Sequence, residues 1–350
     1  MHQRIEYIDF AKGYAIFTIV CYHALQQVDL PGLWQRAIIF GGTGVHLFFL
    51  LSGFGLAWSS AVESVGAFYI RRMSKVWAPY VVVLTLSWVA AAWLGIFPDG
   101  WDAWLAGVAL YQMFFERYIE SFGGHFWFVS AIFQFYLAFP LLTRIQKSMG
   151  NAGFLLLACS LSIAWWLVVY LCGKNEWRVW NSFFLQFLWE FAIGMVLAKK
   201  MRQDAGFYSS IQNLVEGKHR YSWIFLPVGL FFTAVMIVMI LKLGETGRIF
   251  NDVPALFGYT ALSIFVYQAG KRWLPWLNRF FLWINSFSYT LYLIHVLVLH
   301  LFLMLMYGTQ FNWATFGIYL AVVLPIAWLL EPWLRKSSEI ARFKTELKST

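Results

Sequence analysis

Ten apolar stretches of about twenty residues each dominate this sequence, and about that length is needed for a helix to cross the hydrocarbon core of a bilayer. They fall at residues 7–27, 38–58, 77–97, 124–142, 152–172, 180–198, 222–242, 253–270, 280–306 and 312–333. Backbone in lipid has no water to bond with, so such stretches fold as helices. The composition agrees, with 61% of residues hydrophobic and only 12% charged, where soluble domains carry about 25%. The expected class is all-α, a multi-pass integral membrane protein with about ten transmembrane helices.

The basic residues set the orientation. With the N-terminus in the cytoplasm, Arg4, Arg220 and most other lysines and arginines face inward. The outer side keeps six of the 26: Arg36, Arg117, Lys174, Arg178, Lys242 and Arg248. Residues 101–115 are also apolar, but letting them span would invert every later loop and spoil this asymmetry. They are therefore predicted to lie in an outer loop, 98–123, as an interfacial aromatic helix. Both termini are expected in the cytoplasm, with residues 1–335 embedded as one domain and 336–350 as a short polar tail. The formal charge of +9 is thus a topology signal, implying membrane lipid and no nucleic acid as partner. Cys21, Cys159 and Cys172 lie in apolar runs without metal-ligand spacing and read as packing residues, so no metal is expected. No cleavable signal is expected either, because 7–24 is longer than a typical signal core.

Within the first stretch, "DFAKGYAIFTIVCYH" (residues 9–23) places Asp9, Lys12 and His23 at membrane depth. An ionisable group there is costly, and its default reading is function or a partner within the bundle. At 100° per residue the three fall, with Ile16, within about 60° of one another. Lys12 and His23 are separated by about 16 Å along the axis. One face thus offers a cation near the inner surface and, farther out, an imidazole whose unperturbed pKa suits a base near neutral pH. A quieter arrangement is open at this point: Lys12 snorkels, Asp9 pairs with it, and His23 bonds to a neighbouring helix.

Four further motifs follow in order: "GGTGVHLFFLLSGFGL" (41–56), "FYIRRMSKVWAPY" (68–80), "HFWFVSAIFQFYLAFPLL" (125–142) and "SFSYTLYLIH" (286–295). Together with the first helix they resemble the type-3 membrane acyltransferases, ten-helix proteins that O-acylate sugars and other extracytoplasmic acceptors. The Asp-x-x-Lys-Gly opening is similar to the sugar O-acetylase branch. Lys12 stands where the family usually has Arg, His46 where it has Asp, and Ile132 where many members have Glu. Glu190, a carboxylate at membrane depth, is a candidate to replace that last group.

The resemblance implies an O-acetyltransferase of the bacterial cytoplasmic membrane, with acetyl-CoA as co-substrate, no bound cofactor, and a glycan or lipid-linked sugar as acceptor. It implies His23 as base or acyl carrier, beside Lys12 and Asp9. Acyl transfer also needs a grip on the donor. Arg71, Arg72 and Lys75, between the second and third stretches, suit CoA phosphates, although any inner loop carries such residues. Ser52 and Gly53 either pack helices closely or thin a wall for the donor's acyl arm. Tyr292 and His295 share one helical face, and His125 and Tyr136 share another. With His46, Glu190 and Trp127 they are candidates for an acceptor cavity, Trp127 fitting an interfacial belt equally well. Buried Asp, Lys, His and Glu would also suit a transporter or flippase, and the missing Glu an inactive scaffold of a glycan-assembly complex.

Overall fold

In the computed structural model residues 5–59, 64–218, 222–306 and 310–349 are described, and every regular element among them is a helix. Arg4 and Arg220 lie outside the described residues. All ten apolar stretches fall on helix. The principal elements are α1 (Glu6–Leu25), α2 (Gly44–Ser59), α3 (Val65–Leu94), α4 (Trp127–Leu171), α5 (Leu188–Gln203), α6 (Phe225–Phe250), α7 (Asp252–Arg272), α8 (Pro275–Asn285), α9 (Ser288–Leu305) and α10 (Trp313–Ser349).

Among the described residues six helical segments are long and apolar enough to cross a membrane: Val65–Leu94, Trp127–Leu171, Arg178–Gln203, Phe225–Gly244, Ser288–Leu305 and Trp313–Ile340. The chain is an integral membrane protein. α1 has the length, but Glu6, Asp9 and Lys12 lower its apolarity. α2 is apolar but has only 16 residues.

The structure corrects the expected boundaries in two places. α3 begins well before the apolar stretch, because Ser64 Oγ accepts the Ala67 amide and caps the helix start. Arg71, Arg72 and Lys75 therefore stand on helix and not in a connecting loop. The fourth and fifth stretches are separate, as expected: α4 breaks between them at Gly150, whose φ of 73° only glycine adopts readily. The ninth stretch is split, with α8 ending at Asn285 and α9 starting at Ser288. The tail continues α10 as helix.

Residues 98–123 form a loop built on its carboxylates, with one helix, Trp101–Val108. Arg117 Nη2 donates to Asp102 Oδ2 at 2.7 Å, and the Phe122 amide donates to Asp99 Oδ2 at 2.7 Å.

The chain forms two compact units. The first comprises Met1–Ser60, Met149–Glu176 and Leu185–Ser288. In it α1 is fastened to α7 and α8 through its polar residues. Tyr267 Oη donates to Glu6 Oε1 at 2.9 Å, Lys271 Nζ lies 3.3 Å from the same oxygen, and Asn285 Nδ2 donates to Asp9 Oδ1 at 3.2 Å. The hydroxyls of Tyr7 and Ser263 are 2.7 Å apart, and those of Thr18 and Tyr259 are also bonded. Backbones touch as well: a Cβ on Gly13 would stand 1.9 Å from the Phe281 carbonyl oxygen. The second unit comprises Ala61–Ser148, Trp177–Phe184 and Tyr289–Thr350. There α3 packs on α10, and Thr290 of α9 donates a hydrogen bond to the Glu331 carboxylate of α10.

Candidate active site

In the first unit α1 carries Asp9, Lys12 and His23, all half-buried, while Ile16 on the same face is sealed. Asn285 Nδ2 of α8 donates to the Asp9 carboxylate. His23 stands in the last turn of α1, its ring against that of Tyr22. Ser52 is half-buried on α2. Gly53 packs directly on the α5 backbone, where a Cβ would lie 2.1 Å from the Phe191 carbonyl oxygen.

The same unit brings together two residues that were read as cavity candidates and one that sequence reasoning missed. His46 Nδ1 lies 2.7 Å from Glu190 Oε1, and His46 Nε2 lies 3.8 Å from Asp252 Oδ1. Gln186 Nε2 donates to Asp252 Oδ2 at 2.7 Å and to the Ile249 carbonyl at 2.9 Å. All four side chains are buried. Asp252 was overlooked because it opens α7 one residue before the apolar stretch, where an acidic residue reads as an ordinary helix start.

In the second unit a run of polar side chains links three helices. On the first turns of α3, Arg71 and Arg72 are within electrostatic reach of Lys75, and so is Glu331. Tyr289 Oη of α9 donates to the Val76 carbonyl of α3 at 2.7 Å. Tyr289 stacks at 6.3 Å on Tyr292, whose hydroxyl donates to the His125 carbonyl. The His125 and His295 rings are 5.0 Å apart, and both residues are buried.

Carbonyls there fix the imidazoles. His125 Nε2 lies 3.1 Å from the Leu293 oxygen and His295 Nδ1 lies 2.7 Å from the Tyr292 oxygen. A carbonyl only accepts, so those nitrogens carry the hydrogens. In the neutral rings His125 Nδ1 and His295 Nε2 then hold the lone pairs. Tyr319 Oη closes the group with a 2.9 Å bond to the His295 carbonyl. Trp127 lies beside it at the start of α4, with the Arg178 guanidinium 4.6 Å from its ring centre. Tyr289, Tyr319 and Arg178 were not foreseen. Tyr289 lies inside the quoted 286–295 motif, and the others carry no signal of their own.

The same unit holds a largely apolar cavity of ≈ 520 Å³, lined by Met73 and Trp77 of α3, Tyr111 and Phe114 of the 98–123 loop, and Ser130 and Gln134 of α4 among others.

A family model described as "Acyltransferase domain" of type 3 matches residues 5–331. The chain is 32% identical over 144 residues to "Acyltransferase MdmB" of Streptomyces mycarofaciens, across 38% of this chain and 37% of that protein. The match thus spans little more than a third of the relative's length. No solved structure matches. With the family model covering nearly all of it, the chain belongs to the type-3 acyltransferase family.

Proposed function

We propose that this family member moves an acetyl group from cytoplasmic acetyl-CoA, its co-substrate, to a hydroxyl of a cell-surface or lipid-linked glycan across a bacterial cytoplasmic membrane. The match of the family model to residues 5–331 is the observation that carries the reading.

Donor recognition falls to the second unit. Arg71, Arg72 and Lys75 gather on the end of α3 that the charge rule assigns to the cytoplasm, where charge-assisted hydrogen bonds to CoA phosphates would form. Met73 and Trp77, on the same stretch of helix, open the apolar cavity, whose size suits a pantetheine arm.

His23 is the base. Its imidazole takes the proton of the acceptor hydroxyl as that oxygen attacks the thioester carbonyl. The tetrahedral oxyanion collapses with loss of CoA thiolate, which recovers the proton from the imidazolium. Lys12 on the same face supplies positive charge for the donor or the oxyanion. The two histidines and Tyr292 of the second unit offer hydrogen-bond partners for a sugar.

The test uses purified protein in vesicles with radiolabelled acetyl-CoA and total glycolipid extract, comparing wild type with His23→Ala and His23→Gln. Label should reach the extract with wild type and fall at least about a hundredfold with both variants, the usual worth of a general base. Equal labelling by all three proteins would remove His23 from the chemistry. Failure of wild type to label any hydroxylated lipid or glycan would overturn the acceptor class.

A further inference from the structure

We propose that His46, Glu190 and Asp252, with the side-chain carbonyl of Gln186, form a binding site for one divalent first-row metal ion that ties α2, α5 and α7 together within the first unit. One donor atom from each of His46, Glu190 and Asp252 lies within 4.8 Å of the others. Ligands on a common zinc ion at about 2.0–2.2 Å sit closer together than that. Side-chain rotation of about an ångström supplies the difference.

Two buried atoms point to an absent partner. Glu190 Oε2 has no hydrogen-bond partner although the residue is 0% exposed, and neither has Gln186 Oε1 on a residue 2% exposed. Orphaned polar atoms at such depth call for an explanation, a bound ion among the first. The amide of Gln186 cannot be turned round to relieve this, because its nitrogen already serves two acceptors, Ile249 O and Asp252 Oδ2.

Charge leads to the same conclusion. Among the described residues His46 is the ion-pair partner of both carboxylates, and its ring sits near Phe187, which stacks on Phe49. Two carboxylates with one imidazolium leave a net negative charge in an apolar shell. A neutral imidazole and a divalent cation leave none. Glu190 and Asp252 both stand in the first turns of their helices, whose N-terminal dipoles favour the ionised form that a metal ligand needs. The donor set, one imidazole and two carboxylates with a carbonyl, suits Zn²⁺ or Mn²⁺. His46 offers the ion one ring nitrogen, Nδ1 lying against Glu190 and Nε2 facing Asp252.

The experiment measures metal content and melting of the detergent-solubilised full chain, purified without chelator and incubated with Zn²⁺ or Mn²⁺. Wild type should retain about one ion per chain after desalting, the stoichiometry of a closed structural site. Chelator should lower its melting temperature, and the ion should restore it. His46→Ala and Asp252→Asn should hold no ion and show no response to chelator. If a variant fails to fold, the wild-type content alone decides. A wild-type protein that binds neither ion stoichiometrically, with melting indifferent to chelator, would overturn the site and leave a proton shared between the carboxylates.

Discussion

A Cβ on Gly53 would stand 2.1 Å from the carbonyl oxygen of Phe191, and the contact is reciprocal, since a Cβ on Gly194 would stand 2.0 Å from that of Leu50. α2 and α5 therefore meet backbone to backbone, as membrane helices do where small residues line both sides. Gly53→Ala and Gly194→Ala are expected to destabilise the protein by about 1–3 kcal/mol or more, the cost of overpacking a well-packed interface. Gly55→Ala, with nothing within 4 Å of the new methyl, should melt like wild type. Equal melting of all three variants would show that the helices do not approach this closely.

Donor binding should separate from catalysis in the second unit. Arg71→Ala and Arg72→Ala are each expected to raise the KM for acetyl-CoA by about tenfold or more, the value of one charged hydrogen bond, with a smaller change in kcat. Dephospho-CoA thioesters, which lack one phosphate, should lose less on mutation than acetyl-CoA. Steady-state kinetics with both donors checks this. A fall in kcat at unchanged KM would move these arginines from donor recognition to the chemistry.

Much of the fold was legible because lipid leaves so few choices. Length and apolarity alone placed helix on all ten stretches, and Trp101–Val108, kept out of the count of spans, is too short to cross a membrane. The errors lie where local capping and turns set the boundaries. Ser64 caps α3 ahead of its basic motif, and α8 and α9 divide a stretch that was read as one.

The site was less legible, for a physical reason. The partners of a membrane carboxylate lie far away in sequence: Asp9 meets Asn285, and Glu190 meets His46. Periodicity reports the face a residue occupies and carries no information about the helix opposite. Tyr292 and His295 were readable as a pair because they share a helix. His125 joins them through its backbone carbonyl, which no side-chain pattern encodes.

Asp9 provides a test of how α1 is held. Its Oδ1 accepts the Asn285 amide at 3.2 Å across the α1–α8 contact. Asn285→Leu removes that donor and leaves a half-buried carboxylate without it, at a cost of about 1–3 kcal/mol. The expected result is a lower melting temperature that Asp9→Asn does not reproduce, because a side-chain amide on α1 can bond the Asn285 amide in turn. Equal losses in both variants would mean that the charge of Asp9, and not this bond, is what the first unit needs.

His295 offers the sharpest distinction between packing and chemistry. Its Nδ1–H donates to the Tyr292 carbonyl at 2.7 Å, leaving Nε2 as the nitrogen with a lone pair. An asparagine at this position places an amide N–H where Nδ1 stands and has nothing to replace Nε2. His295→Asn should therefore keep the melting temperature near that of wild type, while His295→Leu loses this side-chain hydrogen bond and about 0.5–1.5 kcal/mol with it. If His295 serves only the fold, the Asn variant acetylates normally. If Nε2 receives a hydroxyl of the acceptor, the Asn variant folds but its acceptor KM rises at least about tenfold, as befits one lost hydrogen bond in a buried site. Melting curves and acceptor kinetics on the same two variants decide between these roles.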